Sequence, residues 1–228
     1  MNLYFLVEGQ RTERKVYPAW LSYLVPNLTR VNDWNTVETD SYYLFSAQGY
    51  PQIYTELIHA IENINQKGNF DYLAICLDAD EETVDDRILE IYQFLEANSV
   101  RINPETQLKI IIQNRCFETW FLGNRTIYKQ NPQDLDLREY TQFYNVRNDD
   151  PELMPVFQGF NTHARFHEVY LKKVLAERGL KYTKEHPGAV MQGSYIEELK
   201  RRVEETSHLQ SLSTFFEFCM ELNSRITQ

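Results

Sequence analysis

The sequence predicts an α/β fold: a mostly parallel β-sheet flanked by helices, followed by a helical C-terminal extension. Short apolar runs alternate with amphipathic segments of helical period over the first half of the chain. These runs are continuous, which is typical of strands that are buried on both faces of a parallel sheet. Beyond residue 124 the apolar runs stop and helical segments dominate. We therefore expect an α/β domain over residues 1–124 and a mainly helical region, packed on it, over residues 125–228.

The predicted elements follow a βαβαβαβ order in the first half of the chain. Clusters of Val, Ile, Leu and aromatic residues predict four strands, at residues 3–7, 42–45, 72–77 and 108–112. Apolar residues that recur every three or four positions predict helices, at residues 12–24, 53–64, 83–98, 164–178, 195–205 and 211–226. The Asn-, Asp- and Pro-rich stretch 130–155 is expected to form loops.

Composition and charge narrow the functional classes. Hydrophobic residues make up 43% of the 228 residues and aromatic residues 14%, which predicts a globular protein. The formal net charge of −10 argues against broad electrostatic adhesion to nucleic acid. Most of the acidity lies in residues 1–124, where bound divalent cations would neutralise part of it. Residues 165–202 are locally basic and are either a solvated helix face or a surface that meets phosphates.

Cysteine usage and the lengths of the apolar runs bear on location. Cys76, Cys116 and Cys219 form neither a metal-binding spacing nor a disulfide framework, so we expect buried, reduced thiols in a cytoplasmic protein. No apolar run approaches the roughly 20 residues that span a bilayer. Residues 1–3 lack the basic start of a signal peptide. These features predict no membrane partner.

Carboxylates follow two of the predicted strands, at the point where each strand ends. Asp78 and Asp80 come after the strand at 72–77, and Glu8 follows the first strand. Ligands of open α/β sheets usually bind at the carboxyl edge of the strands, and Mg²⁺ prefers oxygen ligands. These three acids would supply such ligands if the two strands are neighbours, and Glu13 could reach the same edge. Alternatively, the acids from Asp80 onward cap the next helix and complement its dipole.

Two motifs carry a resemblance to the Toprim fold. A Glu-Gly pair follows the first strand at residues 8–9, and an Asp-x-Asp motif follows a later strand at residues 78–80. The segments EGQRTE (8–13) and CFETW (116–120) are similar to segments of the stand-alone Toprim proteins of the OLD and RloB-like group, which are found in bacterial defence loci. The resemblance covers roughly residues 1–124.

This resemblance implies a metal-dependent endonuclease with Mg²⁺ or Mn²⁺ as cofactor. It would hydrolyse phosphodiester bonds of DNA or RNA, tRNA included, in a bacterial antiviral defence system. Its catalytic residues would be Glu8, Asp78 and Asp80. Asp78 and Asp80 would hold the cation, and Glu8 would be the general acid or base or a further ligand. Glu13 would bind a second cation, as in two-metal members of the group.

The resemblance also implies partners. Besides the nucleic acid substrate, it implies an ATPase partner protein, since the sequence has no Walker A loop of its own. A homo-oligomer is compatible with the sequence.

Three further residues are candidates for substrate binding. Arg11 and Lys15 begin the first predicted helix, where cations oppose the helix dipole and so could serve as phosphate contacts; ordinary surface charge is the competing explanation. Glu118 lies in an apolar setting and needs a partner if it is buried. His163 and His167 have the i, i+4 spacing that can bind Zn²⁺, but no third ligand is evident.

Two other functions are compatible with the sequence. A catalytically silent Toprim module could serve as an assembly or sensor subunit, although all of the expected acids are present. A phosphatase-type phosphotransfer enzyme could also use an Asp-x-Asp motif. That motif normally follows the first strand and continues into Gly-Thr, whereas here it follows a later strand and continues into Glu81 and Glu82.

Overall fold

The computed structural model describes residues 1–227 and shows an α/β protein built on a five-stranded, all-parallel sheet. The strands are β1 (Asn2–Val7), β2 (Thr29–Val31), β3 (Ser41–Ser46), β4 (Tyr72–Asp78) and β5 (Gln107–Gln113). Their order across the sheet is β2-β3-β1-β4-β5. The predicted fold class is confirmed, and the sheet is consistent with a Toprim-like arrangement.

Strand β1 lies between β3 and β4 and is parallel to both. In this register Val7 is opposite Ser46 on one side and opposite Cys76 on the other. All six residues of β1 and six of the seven in β4 are buried. A strand that is buried on both faces is apolar along its whole length, which is why both strands could be located from the sequence. The carboxyl ends of β1 and β4 therefore leave the same edge of the sheet.

Three helices connect the strands, and each buries a stripe of its surface. They are α1 (Glu13–Leu24), α2 (Gln52–Lys67) and α3 (Val84–Ala97). The α2 helix ends at Gly68, whose φ of +70° is a left-handed conformation that glycine adopts without strain. The predicted helices in this part of the chain are confirmed to within a few residues at each end.

The chain forms two compact units. Unit 1 comprises Met1–Leu77, Val84–Ile112 and the chain from Glu217 onward, whereas unit 2 comprises Asp78–Thr83 and Gln113–Phe216. Unit 2 contains the helices α4 (Phe117–Phe121), α5 (Leu135–Phe143), α6 (His163–Glu177) and α7 (Gly193–Glu205). Helix α8 (Gln210–Ile226) begins in unit 2 and ends in unit 1. The sequence-based domain boundary at residue 124 stays a prediction.

The expectation that residues 130–155 form only loops is wrong, because α5 lies within this stretch. The side chain of Asp134 caps the helix by accepting a hydrogen bond from the Leu137 N–H. Leu137 and Tyr140 are its two buried residues. So narrow an apolar stripe, flanked by Asn, Asp and Pro residues, does not stand out as a helical period.

Two other short elements escaped prediction for different reasons. Strand β2 has three residues and none is fully buried, so no apolar run marks it. Helix α4 has only five residues, all of them buried, which is too short a segment to show a helical period. Trp120 of α4 anchors this helix in unit 2, where its Nε1–H donates to the Ser211 Oγ at 2.7 Å.

The burial of the three cysteines agrees with the sequence-based expectation. Cys76, Cys116 and Cys219 are buried free thiols, and burial raises the pKa of each one. Within residues 1–227, no helix combines the length and the apolar character needed to cross a membrane.

Candidate active site

Glu8 is fixed just beyond β1 by main-chain hydrogen bonds. Its N–H donates to the oxygen of Cys76 in β4 at 3.0 Å, and its own main-chain oxygen accepts from the Gly49 N–H at 3.1 Å. These bonds extend the sheet pairing one residue past the end of β1. The predicted catalytic acid is therefore held at the carboxyl edge of the sheet, tied to β4 and to the turn that follows β3.

Gly9 makes room for the carboxylate of Glu13. A Cβ atom added at position 9 would lie 2.1 Å from Glu13 Oε1 and 2.2 Å from Oε2, far inside van der Waals contact. The carboxylate of Glu13 thus packs directly against the main chain of the turn that follows Glu8. The Ser46 hydroxyl holds this turn by donating to the Gly9 oxygen at 2.8 Å. In unit 1 the structure brings Glu13, the predicted second-cation ligand, onto the turn that carries Glu8.

Asp78 and Asp80 belong to a short segment of unit 2, Asp78–Thr83, which we call the acidic loop. Main-chain hydrogen bonds tie it to the chain that follows β5: the Ala79 N–H donates to the Gln113 oxygen at 2.9 Å, and the Asp80 N–H donates to the Arg115 oxygen at 2.8 Å. The guanidinium of Arg115 also contacts the acidic loop. Its Nη1 lies 3.0 to 3.3 Å from three consecutive main-chain oxygens of the acidic loop, those of residues 80, 81 and 82.

Two residues that pair through their main chains, Asp80 and Arg115, have strained backbone conformations. Asp80 has a φ of +55° and Arg115 a φ of +70°, the left-handed region that non-glycine residues seldom adopt. Such residues persist where surrounding contacts over-determine the conformation, and they cluster at functional sites. The three Arg115 contacts supply that constraint here. This role of Arg115 was not predicted, because an arginine that binds main-chain oxygens has no local signature in the sequence.

Glu118 is buried, at 1% exposure, and it has the partners that a buried acid requires. The hydroxyl of Tyr182 donates to Glu118 Oε1 at 2.8 Å, and the Lys184 ammonium lies 3.6 Å from the same oxygen. Burial alone would lower the pKa of Lys184, but the charges of Glu118 and Asp78 outweigh it and raise the pKa above its usual range. The side chain of Lys184 therefore stays positively charged at physiological pH, and this charge interacts with the carboxylate of Asp78.

His163 and His167 do not act as a metal-binding pair. His163 lies against the acidic loop, where Glu81 accepts from its main-chain N–H at 2.8 Å and contacts its Nδ1 at 2.6 Å. His167 is buried and its Nδ1 contacts the Thr119 hydroxyl at 2.7 Å. Burial lowers the pKa of His167 to about 3, so the ring is neutral at physiological pH.

Unit 1 has basic residues at the start of α1, where the sequence indicated phosphate contacts, and one in β2 that the sequence did not reveal. Arg11 is exposed and Lys15 is partly buried, both at the start of α1. Arg14 lines a cavity of about 250 Å³ in unit 1, together with Arg30. Within residues 1–227, neither Arg14 nor Arg30 has a hydrogen bond or ion pair from its guanidinium. Arg30 was missed because it lies in the unpredicted strand β2.

The same cavity has an aromatic side. Tyr43 and Phe45 of β3 line it, are partly exposed, and have ring centroids 6.4 Å apart. Proteins that bind single-stranded nucleic acid combine basic residues, which contact the phosphates, with aromatic rings, which stack on the bases. The cavity therefore has the chemistry of a nucleic-acid contact.

The predicted site residues fall in both units. Glu8, Glu13, Arg11 and Lys15 belong to unit 1, whereas Asp78, Asp80 and Glu118 belong to unit 2. Across residues 1–227, no group of three or more His, Cys, Asp or Glu side chains is arranged to hold a metal ion. Comparisons with protein-family models, with curated proteins and with solved structures find no match for this chain.

Proposed function

We propose that this protein is a metal-dependent nuclease that hydrolyses phosphodiester bonds of DNA or RNA. The observation that carries the proposal is the parallel pairing of β1 with β4, because these neighbouring strands lead directly into Glu8 and Asp78. Ligands of parallel α/β sheets bind beyond that edge. The resemblance to the stand-alone Toprim proteins points to the same residues.

The available donors fit Mg²⁺ or Mn²⁺. Glu8, Glu13, Asp78 and Asp80 offer only carboxylate oxygens, which hard divalent cations prefer. A ready-made cage of three side chains does not occur within residues 1–227. Mg²⁺ seldom uses such a cage: one or two carboxylates, water and substrate phosphate commonly complete its shell. Asp78 and Asp80 would hold the ion, and Glu13 would hold a second one. When bound, the cation offsets the negative charge that develops on the phosphate.

The residues of the chain supply proton transfer and positioning. A carboxylate oxygen of Glu8 takes a proton from the attacking water, since the main chain at this residue is fixed at the sheet edge. The Lys184 ammonium, charged because of Glu118 and Asp78, contacts a phosphate oxygen of the substrate. Arg115 sets the conformation of the acidic loop and is a positioning residue.

The substrate strand would run over the cations of unit 1. Arg14 and Arg30 contact its phosphates, and Tyr43 and Phe45 stack on its bases. Arg11 and Lys15, at the start of α1, add to this positive surface. A narrow, localised surface of this kind suits a protein whose overall charge of −10 disfavours adhesion elsewhere.

A cleavage assay tests the proposal. Wild-type protein is incubated with supercoiled plasmid and with tRNA, in Mg²⁺, in Mn²⁺ and in EDTA. Cleavage is expected only with a cation. Asp78→Asn and Glu8→Gln should each reduce the rate by more than about 100-fold, beyond the loss typical of residues outside the ligand shell.

Asp85→Asn is the matched control. It removes the same charge as Asp78→Asn, but from an exposed acid in the first turn of α3. It should cleave like the wild type. Wild-type protein that is inert on both substrates with both cations, alone and with its genomic neighbours co-expressed, would overturn the nuclease proposal. In that case the silent-module function would become the better explanation.

The cellular context is part of the proposal. The resemblance supports a role in bacterial anti-phage defence together with an ATPase partner. The absence of a Walker A loop from the sequence means that any nucleotide hydrolysis has to be supplied by that partner. Co-purification of this chain with an ATPase, from cells that express both at native levels, tests this part separately.

A further inference from the structure

Unit 2 contains a basic cavity that none of the predicted site residues lines. Its volume is about 450 Å³, within the range of small-ligand sites. Every residue in its wall is polar or charged: Arg125, Arg147, Asn148, Arg202, Thr206 and His208. Three of the six side chains are arginines and none is acidic. No residue of the acidic loop takes part.

One of the three arginines that line this cavity, Arg202, is buried. The residue is completely buried, at 0% exposure. Its guanidinium donates to the main-chain oxygens of Gly123 at 3.0 Å, Val146 at 2.8 Å and Asp149 at 2.7 Å. Within residues 1–227, no carboxylate comes within 4.0 Å of it. A buried cation without a paired carboxylate is costly, and a bound anion nearby would offset that cost.

Arg202 also fixes the tautomer of His208. Arginine can only donate hydrogen bonds, and its Nη2 lies 3.0 Å from His208 Nδ1. This nitrogen must therefore accept, which places the ring hydrogen of neutral His208 on Nε2. The histidine, which is partly exposed in the wall of the cavity, thus offers an N–H donor that is set by the buried arginine.

Arg147 is the cation that is available to a ligand. It is exposed, and its side chain makes no hydrogen bond or ion pair within residues 1–227. Arg125, by contrast, is already paired, with Glu198 at 2.8 Å and Glu205 at 2.7 Å. Arg147 also lines a second cavity, of about 180 Å³, together with Lys129.

We propose that this cavity binds a phosphate group, with Arg147 and the His208 Nε2–H as the direct donors and buried Arg202 as the fixed charge beneath them. Guanidinium groups match phosphate oxygens in geometry and charge. The wall carries no Phe, Tyr or Trp side chain, the residues on which nucleobases most often stack, so recognition rests mainly on the phosphate. The phosphate comes either from a free polyphosphate or from the chain of a polynucleotide.

Binding measurements distinguish these two sources. Calorimetry is run in EDTA with pyrophosphate, with a 5′-phosphorylated single-stranded oligonucleotide and with its 5′-hydroxyl counterpart. Because EDTA removes divalent cations, the result does not depend on nuclease activity, and the site can exist without it. Tight binding of pyrophosphate alone identifies a free polyphosphate ligand. Tight binding of either oligonucleotide identifies a polynucleotide, and preference for the phosphorylated one identifies a terminal phosphate. Absence of binding by all three probes overturns the proposal.

Three variants distinguish binding at a specific site from a nonspecific effect of the protein's net charge. Arg147→Ala should weaken binding about tenfold or more, because it removes a charged donor. His208→Asn keeps an acceptor for Arg202 at the Nδ1 position but lacks the outward donor, so it should weaken binding several-fold without unfolding unit 2. Arg165→Ala removes one exposed arginine that does not line the cavity, and it should bind like the wild type. Equal losses in Arg147→Ala and Arg165→Ala would mean that only net charge matters, and the site would be rejected.

Discussion

The guanidinium of Arg115 donates to the main-chain oxygen of Glu81 at 3.0 Å. It also reaches the oxygens of residues 80 and 82 on either side, so a single side chain holds the main chain of the acidic loop. The loop is therefore held through its main chain as well as through the carboxylate of Glu81, which contacts His163.

Removal of the Arg115 side chain should loosen the acidic loop. Arg115→Ala deletes three contacts to exposed main-chain oxygens, and a hydrogen bond of ordinary strength contributes about 0.5–1.5 kcal/mol. We expect the free energy of local opening to fall by about 1 kcal/mol at the amides of Ala79 and Asp80, which donate to Gln113 and Arg115. Native-state hydrogen exchange at these two amides measures it. Unchanged exchange in the variant would show that the clamp is dispensable.

Gly9→Ala should affect Glu13 rather than the fold. The added Cβ meets only the end of a flexible side chain, so Glu13 swings away and the free energy of unfolding changes by less than about 1 kcal/mol. Cation affinity and cleavage should fall, and we expect the same of Glu13→Gln. The double variant should be no worse than either single one, because both act on the same carboxylate. Additive losses would contradict this coupling.

Glu118→Gln should change the ionisation of Lys184. The amide oxygen can still accept from the Tyr182 hydroxyl, so the packing of α4 is retained. Loss of the carboxylate charge removes the leading cause that raises the pKa of Lys184, which should therefore move down towards its usual value. A titration of the Lys184 side chain by NMR measures this shift. Glu118→Ala is the contrasting variant: it leaves the buried Tyr182 hydroxyl without its acceptor and should cost about 1–3 kcal/mol.

His167 should make the protein less stable in acid. Its pKa is lowered from 6.5 to about 3 by burial, so between these values the unfolded chain binds a proton that the folded protein does not. Stability should therefore fall as the pH drops from about 6.5 towards 3, by up to about 1.4 kcal/mol per pH unit from this group. Urea unfolding across this range measures the slope.

His167→Asn is the control for that slope. It keeps a hydrogen-bonding group for the Thr119 hydroxyl but has no ionisable ring. The variant should lose stability less steeply in acid than the wild type. If the two slopes coincide between pH 6.5 and 4, the histidine is not the source of the acid sensitivity.

The sheet was predictable because its strands are buried on both faces. Strands β1 and β4 are apolar apart from Asn2 at the start of β1 and Asp78 at the end of β4, and an acid marks the carboxyl end of each strand. The order β3-β1-β4, by contrast, is set by contacts between residues up to 69 positions apart, which no local pattern encodes. The same limit applies to the site. Glu8 and Asp78 were found from their position after strands, whereas Arg115 was not.

Partners of buried charges were equally hidden from the sequence. An acid at Glu118 was expected to need a partner, but Tyr182 and Lys184 lie more than 60 residues away. The burial of Arg202 could not be anticipated, since an arginine beside Arg201 on a polar helix is ordinarily a surface residue. Spacing arguments identify which residues can do chemistry. The long-range contacts decide which of them are paired.

Unit 1 is built from separate segments of the chain, the last of which begins at Glu217, and this has a consequence for folding during synthesis. Phe218 packs edge-on against Tyr72 of β4 with ring centroids 5.3 Å apart, and Asn223 bonds to the main chain at Leu24. These partners are translated more than 140 residues after the strand or helix that they complete. The sheet therefore waits in the ribosome-bound chain with one apolar surface uncovered until the segment from Glu217 emerges. Folding of unit 1 cannot be completed before that segment has been translated, and a nascent chain halted before Glu217 should be a preferred chaperone substrate.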